Sequence, residues 1–169
     1  MPVLQTIPYG DGTFFITFTY YNWLPLIDKT NGYDIVYKCP SDRIRAGFDH
    51  LKSKGHKING YVIMPNHVHV SISFVTAAQN INTIIGNGKR FMAYEIIKRL
   101  QAKGEGDLLF ILQSNVEAKR RANNKLHDVW KLSFDWKYCN GLSFIKQKLD
   151  YMPARLVVPV RPVRAGRRA

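Results

Sequence analysis

The hydrophobic and polar positions along the chain divide it into strands and helices of alternating type. Phe14 to Tyr21 reads FFITFTYY, an aromatic and β-branched run that predicts a strand ending at Asn22-Trp23-Leu24-Pro25. From Ser41, SDRIRAGFDHLKSKG predicts a helix: Ser41 or Asp42 can cap it, Ile44, Phe48 and Leu51 share one face, and Gly55 stops it. His56 to Met64 and His67 to Phe74 predict two further strands around a Pro65-Asn66 turn. In the second of these, Val68, Val70 and Ile72 alternate with His67, His69 and Ser71, so a half-buried strand puts the valines inside and both imidazoles on the open face.

Asn80 to Lys103 predicts a longer helix with an apolar stripe of Ile81, Ile84, Ile85, Met92, Ile96 and Leu100. Gly86 and Gly88 weaken its middle and allow a bend. After Gly104-Glu105-Gly106, Asp107 to Asn123 predicts another helix, and Val129 to Cys139 (VWKLSFDWKYC) a fourth strand. Asn140-Gly141 marks a turn, and Leu142 to Tyr151 a last helix that Ser143 can cap, with Phe144, Ile145 and Leu149 buried. Pro153 stops it. Residues 153–169 hold three prolines and no acid, and predict a basic irregular tail behind a single domain of residues 1–152. The order β-α-β-β-α-β, with a helical insertion before the last strand and one helix after it, is the split βαβ pattern. It predicts an α+β, ferredoxin-like or RRM-like fold, with helices on one face of an antiparallel sheet and the histidines on the other.

Composition changes the picture through charge. The 169 residues suffice for one core, and 25 Lys and Arg against 12 acids give a net charge of +13. Such an excess attracts polyanions, and nucleic acid is the expected partner. No apolar run is long enough to span a membrane, the first ten residues lack the pattern of a signal peptide, and no basic amphipathic helix points to a membrane surface. Cys39 and Cys139 form no zinc pattern and suggest plain thiols in a cytoplasmic protein. Lys89 and Arg90 on the long helix, and the cluster Lys119-Arg120-Arg121, are the candidate DNA-binding residues, although such charges usually just solvate a helix face.

Chemistry enters with His67 and His69. Two imidazoles at i and i+2 of a strand converge closely enough to hold one metal ion, although a surface histidine on a strand is more often no ligand at all. His50, His56 and His127 carry no pairing signal. A metal beside nucleic acid can polarise a phosphodiester, and a nucleophile is then needed. No G-x-S-x-G elbow occurs and neither cysteine has a defined base, which leaves tyrosine. Tyr151, near the end of the last helix, competes with Tyr94 and Tyr138, and any of them can equally be a plain core or surface aromatic.

At these residues the chain resembles a known family. GYVIMPNHVHV resembles the signature of the HUH single-strand transposases with one catalytic tyrosine, which include insertion-sequence and REP-associated members. IIGNGKRFMAYEI resembles their following helix, and VWKLSFDWKYCNGLSFIKQKLDYM their C-terminal block. The resemblance spans about Phe14 to Met152. It implies that His67 and His69 ligate Mg²⁺ or Mn²⁺, and that Tyr151 attacks single-stranded DNA, leaving a 5′-phosphotyrosine and a free 3′-OH. It also implies recognition of DNA hairpins, and in many members a homodimer. The pattern departs after the tyrosine: Met152-Pro153-Ala154-Arg155 stands where relatives carry Asn-Pro and a polar metal ligand, and Arg155 cannot bind a cation. Two other readings stay open: a binding module for single-stranded nucleic acid without catalysis, and a nickase of the relaxase or replication-initiator kind.

Overall fold

The computed structural model describes residues 6–8, 10–37, 48–75, 80–139, 141, 143, 146 and 147. Four strands, β1 (Gly12–Thr19), β2 (Lys57–Met64), β3 (His67–Phe74) and β4 (Asp135–Tyr138), form one sheet in the order β2-β3-β1-β4. Every pairing is antiparallel. Sequential strands β2 and β3 make a hairpin, while β1 separates β3 from β4. This is the ferredoxin-like arrangement, and the fold is α+β as the element order predicts.

Register decides which residues share a face. Phe14, Ile16 and Phe18 of β1 sit opposite Ile72, Val70 and Val68 of β3, and Tyr61 and Ile63 of β2 continue the same rows. All are buried. The long helix α4 (Ile81–Ala102) lays Ile81, Ile85, Met92, Ile96 and Leu100 into this core. Asn80 caps it by accepting from the Asn82 backbone N–H. The helix runs unbroken past Gly86 and Gly88. Helix α3 (Phe48–Ser53) joins the same side through Phe48 against Tyr61, ring centroids 4.8 Å apart. The proposed caps Ser41 and Asp42 lie outside the described residues.

The structure corrects two predicted elements and adds two helices that the sequence pattern does not predict. Two short helices, α1 (Leu26–Thr30) and α2 (Tyr33–Tyr37), fill a stretch that carries no periodic signal. They are hinged at Asn31, whose backbone is left-handed (φ 47°), and at Gly32, where a Cβ would meet Thr30 Oγ1 at 2.5 Å. Asp107 to Asn123 is two helices, α5 (Gly106–Ser114) and α6 (Ala118–Arg121). The break lets Val116 turn inward and be buried, and Ser114-Asn115 offers little helix propensity to resist it.

The fourth strand is four residues long instead of eleven. Ahead of it, Trp130 makes only an isolated bridge to Tyr20. Its indole stacks on the Tyr20 ring at 4.2 Å and donates to the Lys89 carbonyl at 2.7 Å, so side-chain packing holds this segment. Ser143, Lys146 and Gln147 are helical, within the predicted last helix. The rest of that helix, Tyr151 included, and the tail 153–169 lie outside the described residues, as does Cys39. Among the described residues, no helix is long and apolar enough to cross a membrane.

Candidate functional site

The second face of the sheet carries Thr13, Phe15, Thr17 and Thr19 from β1, opposite Ser73, Ser71, His69 and His67 from β3. It is a polar face built by the same alternation that builds the core on the other side. It is not open throughout, because Ser71 is 1 % exposed, but both imidazoles are half-buried and reach the surface. The hairpin turn Pro65-Asn66 and the strict two-residue period bring His67 and His69 side by side, ring centroids 4.7 Å apart and nearly perpendicular at 77°.

Each ring is oriented by an oxygen at Nδ1. The His67 Nδ1 lies 2.7 Å from Asn66 Oδ1. With the amide oxygen assigned to that side, it can only accept, so Nδ1 carries the proton and the lone pair lies at Nε2. His69 Nδ1 lies 2.9 Å from Thr17 Oγ1, across the strand pair. A hydroxyl can give or take; when Nδ1 donates, His69 also presents its lone pair at Nε2. Burial holds the His67 imidazole below its ordinary pKa, which favours the neutral ring a metal needs. Fixing one nitrogen of a histidine so that the other can ligate is the usual arrangement around metal-binding imidazoles. Two aromatic rings flank the pair. Phe15 stacks on His69 at 5.5 Å and 24°, and Trp23 meets His67 edge-on at 5.5 Å and 77°.

The donor set fits half of a metal site. Among the described residues no group of three or more His, Cys, Asp or Glu gathers here. Asp135 stands on the same face opposite Thr17, one strand beyond His69, and does not complete such a group. Mg²⁺ and Mn²⁺ commonly keep several waters and take phosphate oxygens, so two side chains can serve when substrate supplies the rest.

The cationic candidates fall in different settings. Lys89 points inward: its Nζ donates to the Lys131 carbonyl at 3.2 Å and lies 5.7 Å from the Trp130 ring centre and 5.8 Å from that of Phe134. Burial, with the neighbouring Lys125 charge, lowers its pKa to about 8. It lines a cavity of about 620 Å³ that includes Arg90, Tyr94 and His127 but neither His67 nor His69. Arg90 is exposed, its guanidinium 5.0 Å from the Phe91 ring centre. Lys119 is exposed. Arg120 is held by the buried Asp128 at 2.7 Å, and Arg121 donates to the Gln113 carbonyl at 3.1 Å. The set is divided: Arg120 lines a cleft with Trp23, the ring neighbour of His67, whereas Lys89 and Arg90 line the cavity that includes neither histidine. Tyr138 lies on the core side, opposite Phe14, and Tyr94 is exposed on α4.

Four residues of the site escape a reading of the sequence. Asn66 reads as turn chemistry alone, although its position directly before His67 is the available signal. Thr17, Phe15 and Trp23 become neighbours of the histidines only through strand register and a loop conformation that no local pattern encodes.

No family model and no curated protein matches this chain. Among solved structures, it is similar to a REP-associated tyrosine transposase bound to a REP hairpin, at 16% identity and a TM-score of 0.49, over 90% of this chain and 70% of that one. It is also similar to a candidate transposase from Deinococcus radiodurans R1, at 13% identity and a TM-score of 0.46, over 89% of this chain and 96% of that one.

Proposed function

We propose that this protein is a metal-dependent DNA transposase that cleaves and rejoins single-stranded DNA through Tyr151, recognising DNA hairpins. The observation that carries the reading is the pairing of His67 and His69 on one strand face, with Asn66 and Thr17 orienting their Nδ1 atoms. That pair sits within the Met-Pro-Asn-His-Val-His stretch. The net charge of +13 suits a polyanionic substrate.

In this reading the imidazoles use Nε2 to hold Mg²⁺ or Mn²⁺. When bound, the ion polarises the scissile phosphate and neutralises charge that develops on it. The neutral His67 ring avoids repelling the cation. Tyr151 supplies the nucleophile: its phenol loses a proton, the oxygen bonds to phosphorus, and the bond to the 3′-oxygen breaks. That oxygen takes up a proton, leaving a 5′-phosphotyrosine and a free 3′-OH. An incoming 3′-OH reverses the step and joins the strands. Arg90 and Lys119, whose side chains face solvent, are the better-placed phosphate contacts outside the histidine face. Lys89, Arg120 and Arg121 support the protein's own chain, and contact DNA only if these internal bonds exchange.

The test is incubation with labelled single-stranded hairpin DNA and Mn²⁺. A covalent protein–DNA adduct that disappears in Tyr151→Phe and in His67→Ala is the expected result. An adduct that persists in both variants overturns the proposal, and salt-sensitive binding without any adduct favours the binding module.

A further inference from the structure

The loop that follows β1 holds an unusual backbone. Asn22 (φ 46°, ψ 32°) and Trp23 (φ 56°) are consecutive left-handed residues, neither of them glycine. Asparagine visits this region readily, but a side chain as bulky as that of Trp23 rarely does, so surrounding bonds must hold it there. Those bonds are present, two of them to the turn of the histidine hairpin and one to the segment ahead of β4. The Tyr20 N–H donates to the Asn66 carbonyl at 3.0 Å, the Ile27 N–H to the Pro65 carbonyl at 3.1 Å, and the Tyr21 N–H to the Val129 carbonyl at 2.9 Å.

The strain does not bury the indole. Trp23 is 59 % exposed, whereas Trp130 is 8 % exposed. One edge of the Trp23 neighbourhood is His67, at 5.5 Å. On another side the same residue lines a cleft of about 250 Å³ with Tyr21, Leu132, the cations Lys131 and Arg120, and the carboxylates Glu117 and Asp128, the last paired with Arg120 at 2.7 Å. Trp23 thus stands between the imidazole pair and an adjacent, partly apolar cleft bordered by Lys131, by Glu117 and by the Arg120–Asp128 ion pair. A flat aromatic held outward beside a cation and a phosphate-handling site has the chemistry of a base-stacking platform.

We infer that Trp23 and the adjoining cleft bind one unpaired nucleobase of the DNA strand, stacking it on the indole so that its backbone runs across His67 and His69. The inference rests on the reading of the histidine face as a single-stranded DNA site. Trp23 is a positioning residue: it sets which nucleotide is presented, and the strained loop keeps the indole from collapsing onto the protein.

The experiment uses the full chain and a fluorescein-labelled single-stranded oligonucleotide carrying the hairpin, in EDTA so that no metal contributes. Trp23→Ala weakens binding on the order of ten-fold, within the range measured for stacked bases, and Trp23→Phe retains most of the affinity. Trp23→Gly, whose backbone suits the left-handed conformation, repeats the truncation should Trp23→Ala fail to fold. Abasic substitutions are then scanned along the unpaired strand. At one position the missing base weakens wild-type binding but has little further effect in the truncated variant, a coupling that a merely structural tryptophan does not produce. Unchanged affinity after truncation, or abasic penalties that add fully at every position, overturns the inference. The catalytic proposal is judged separately by adduct formation in the histidine and tyrosine variants. Loss of one result does not decide the other.

Discussion

The two faces of this sheet are made from the same strands, β1 and β3 at their centre, and differ in what holds them together. On one, Phe14, Ile16, Phe18, Val68, Val70 and Ile72 are buried beneath α4, and the rows interlock as a core. On the other, one residue along in each strand, threonines, serines and histidines pair by hydrogen bonds: Thr13 with Ser73 at 2.7 Å, Thr17 with His69 at 2.9 Å. The core face is determined by volume and tolerates little change in it. The histidine face is determined by directions of donors and acceptors, which fix rings without requiring much burial. Stability therefore belongs chiefly to the first face and the proposed chemistry to the second, although the two differ by a shift of a single residue.

The most severe way to break the contrast is Phe14→Ala. Phe14 is fully buried, with the rings of Tyr138, Trp136 and Phe74 at 5.3 Å, 5.9 Å and 6.1 Å. Its truncation costs about 3–5 kcal/mol in urea denaturation. His69→Ala, by contrast, costs about 1 kcal/mol, because the hydrogen bond to Thr17 and the ring contacts with Phe15 and His67 are only half-buried. Equal losses at the two sites contradict the division of labour.

Next in size is the half-buried amine of Lys89 on the helical side. The Lys89 pKa falls from 10.5 to about 8 because burial, then the Lys125 charge, disfavours the ammonium. In the unfolded chain the same amine stays protonated up to its ordinary value. The unfolded state therefore binds more protons between about pH 8 and 10.5, and stability rises with pH across that window. The gap is worth at most about 3 kcal/mol. Denaturation midpoints at pH 8 and pH 10, compared between wild type and Lys89→Met, isolate it: the variant loses this rise.

A smaller effect tests how α4 is anchored over the core face. Arg99 holds Asp34 of α2 through two bonds of 2.7 Å and reaches Glu95 at 3.2 Å. The guanidinium keeps the Asp34 carboxyl below its ordinary pKa. Asp34→Ala costs about 1 kcal/mol, because the pair is partly exposed and screened, and added salt narrows the difference. Smallest is a gain. A Cβ at Gly88 meets nothing within 4 Å, and the position is helical. Gly88→Ala therefore raises stability by about 0.4–1 kcal/mol through the unfolded chain's entropy, visible as a higher melting temperature.

Much of this was legible before any coordinates. The alternation in His67 to Phe74 assigns each residue to its face, the isoleucine stripe defines α4, and the order of elements yields the sheet topology. Tertiary contacts hid the rest. Trp130 packs on Tyr20 instead of extending β4, and Val116 turns inward and divides a helix that the pattern reads as continuous. The partners of the histidines are non-local: Thr17 lies 52 positions from His69 along the chain. The left-handed loop that places Trp23 beside His67 has no glycine to announce it.

The central claim is that the histidine face is a metal centre, and Mn²⁺ binding tests it most directly. Titration of the full chain with Mn²⁺, followed by the electron paramagnetic resonance of the free ion with and without single-stranded DNA, should reveal one site. His67→Ala and His69→Ala should each abolish it while leaving the fold intact by circular dichroism. Binding that is undiminished in both variants contradicts the account.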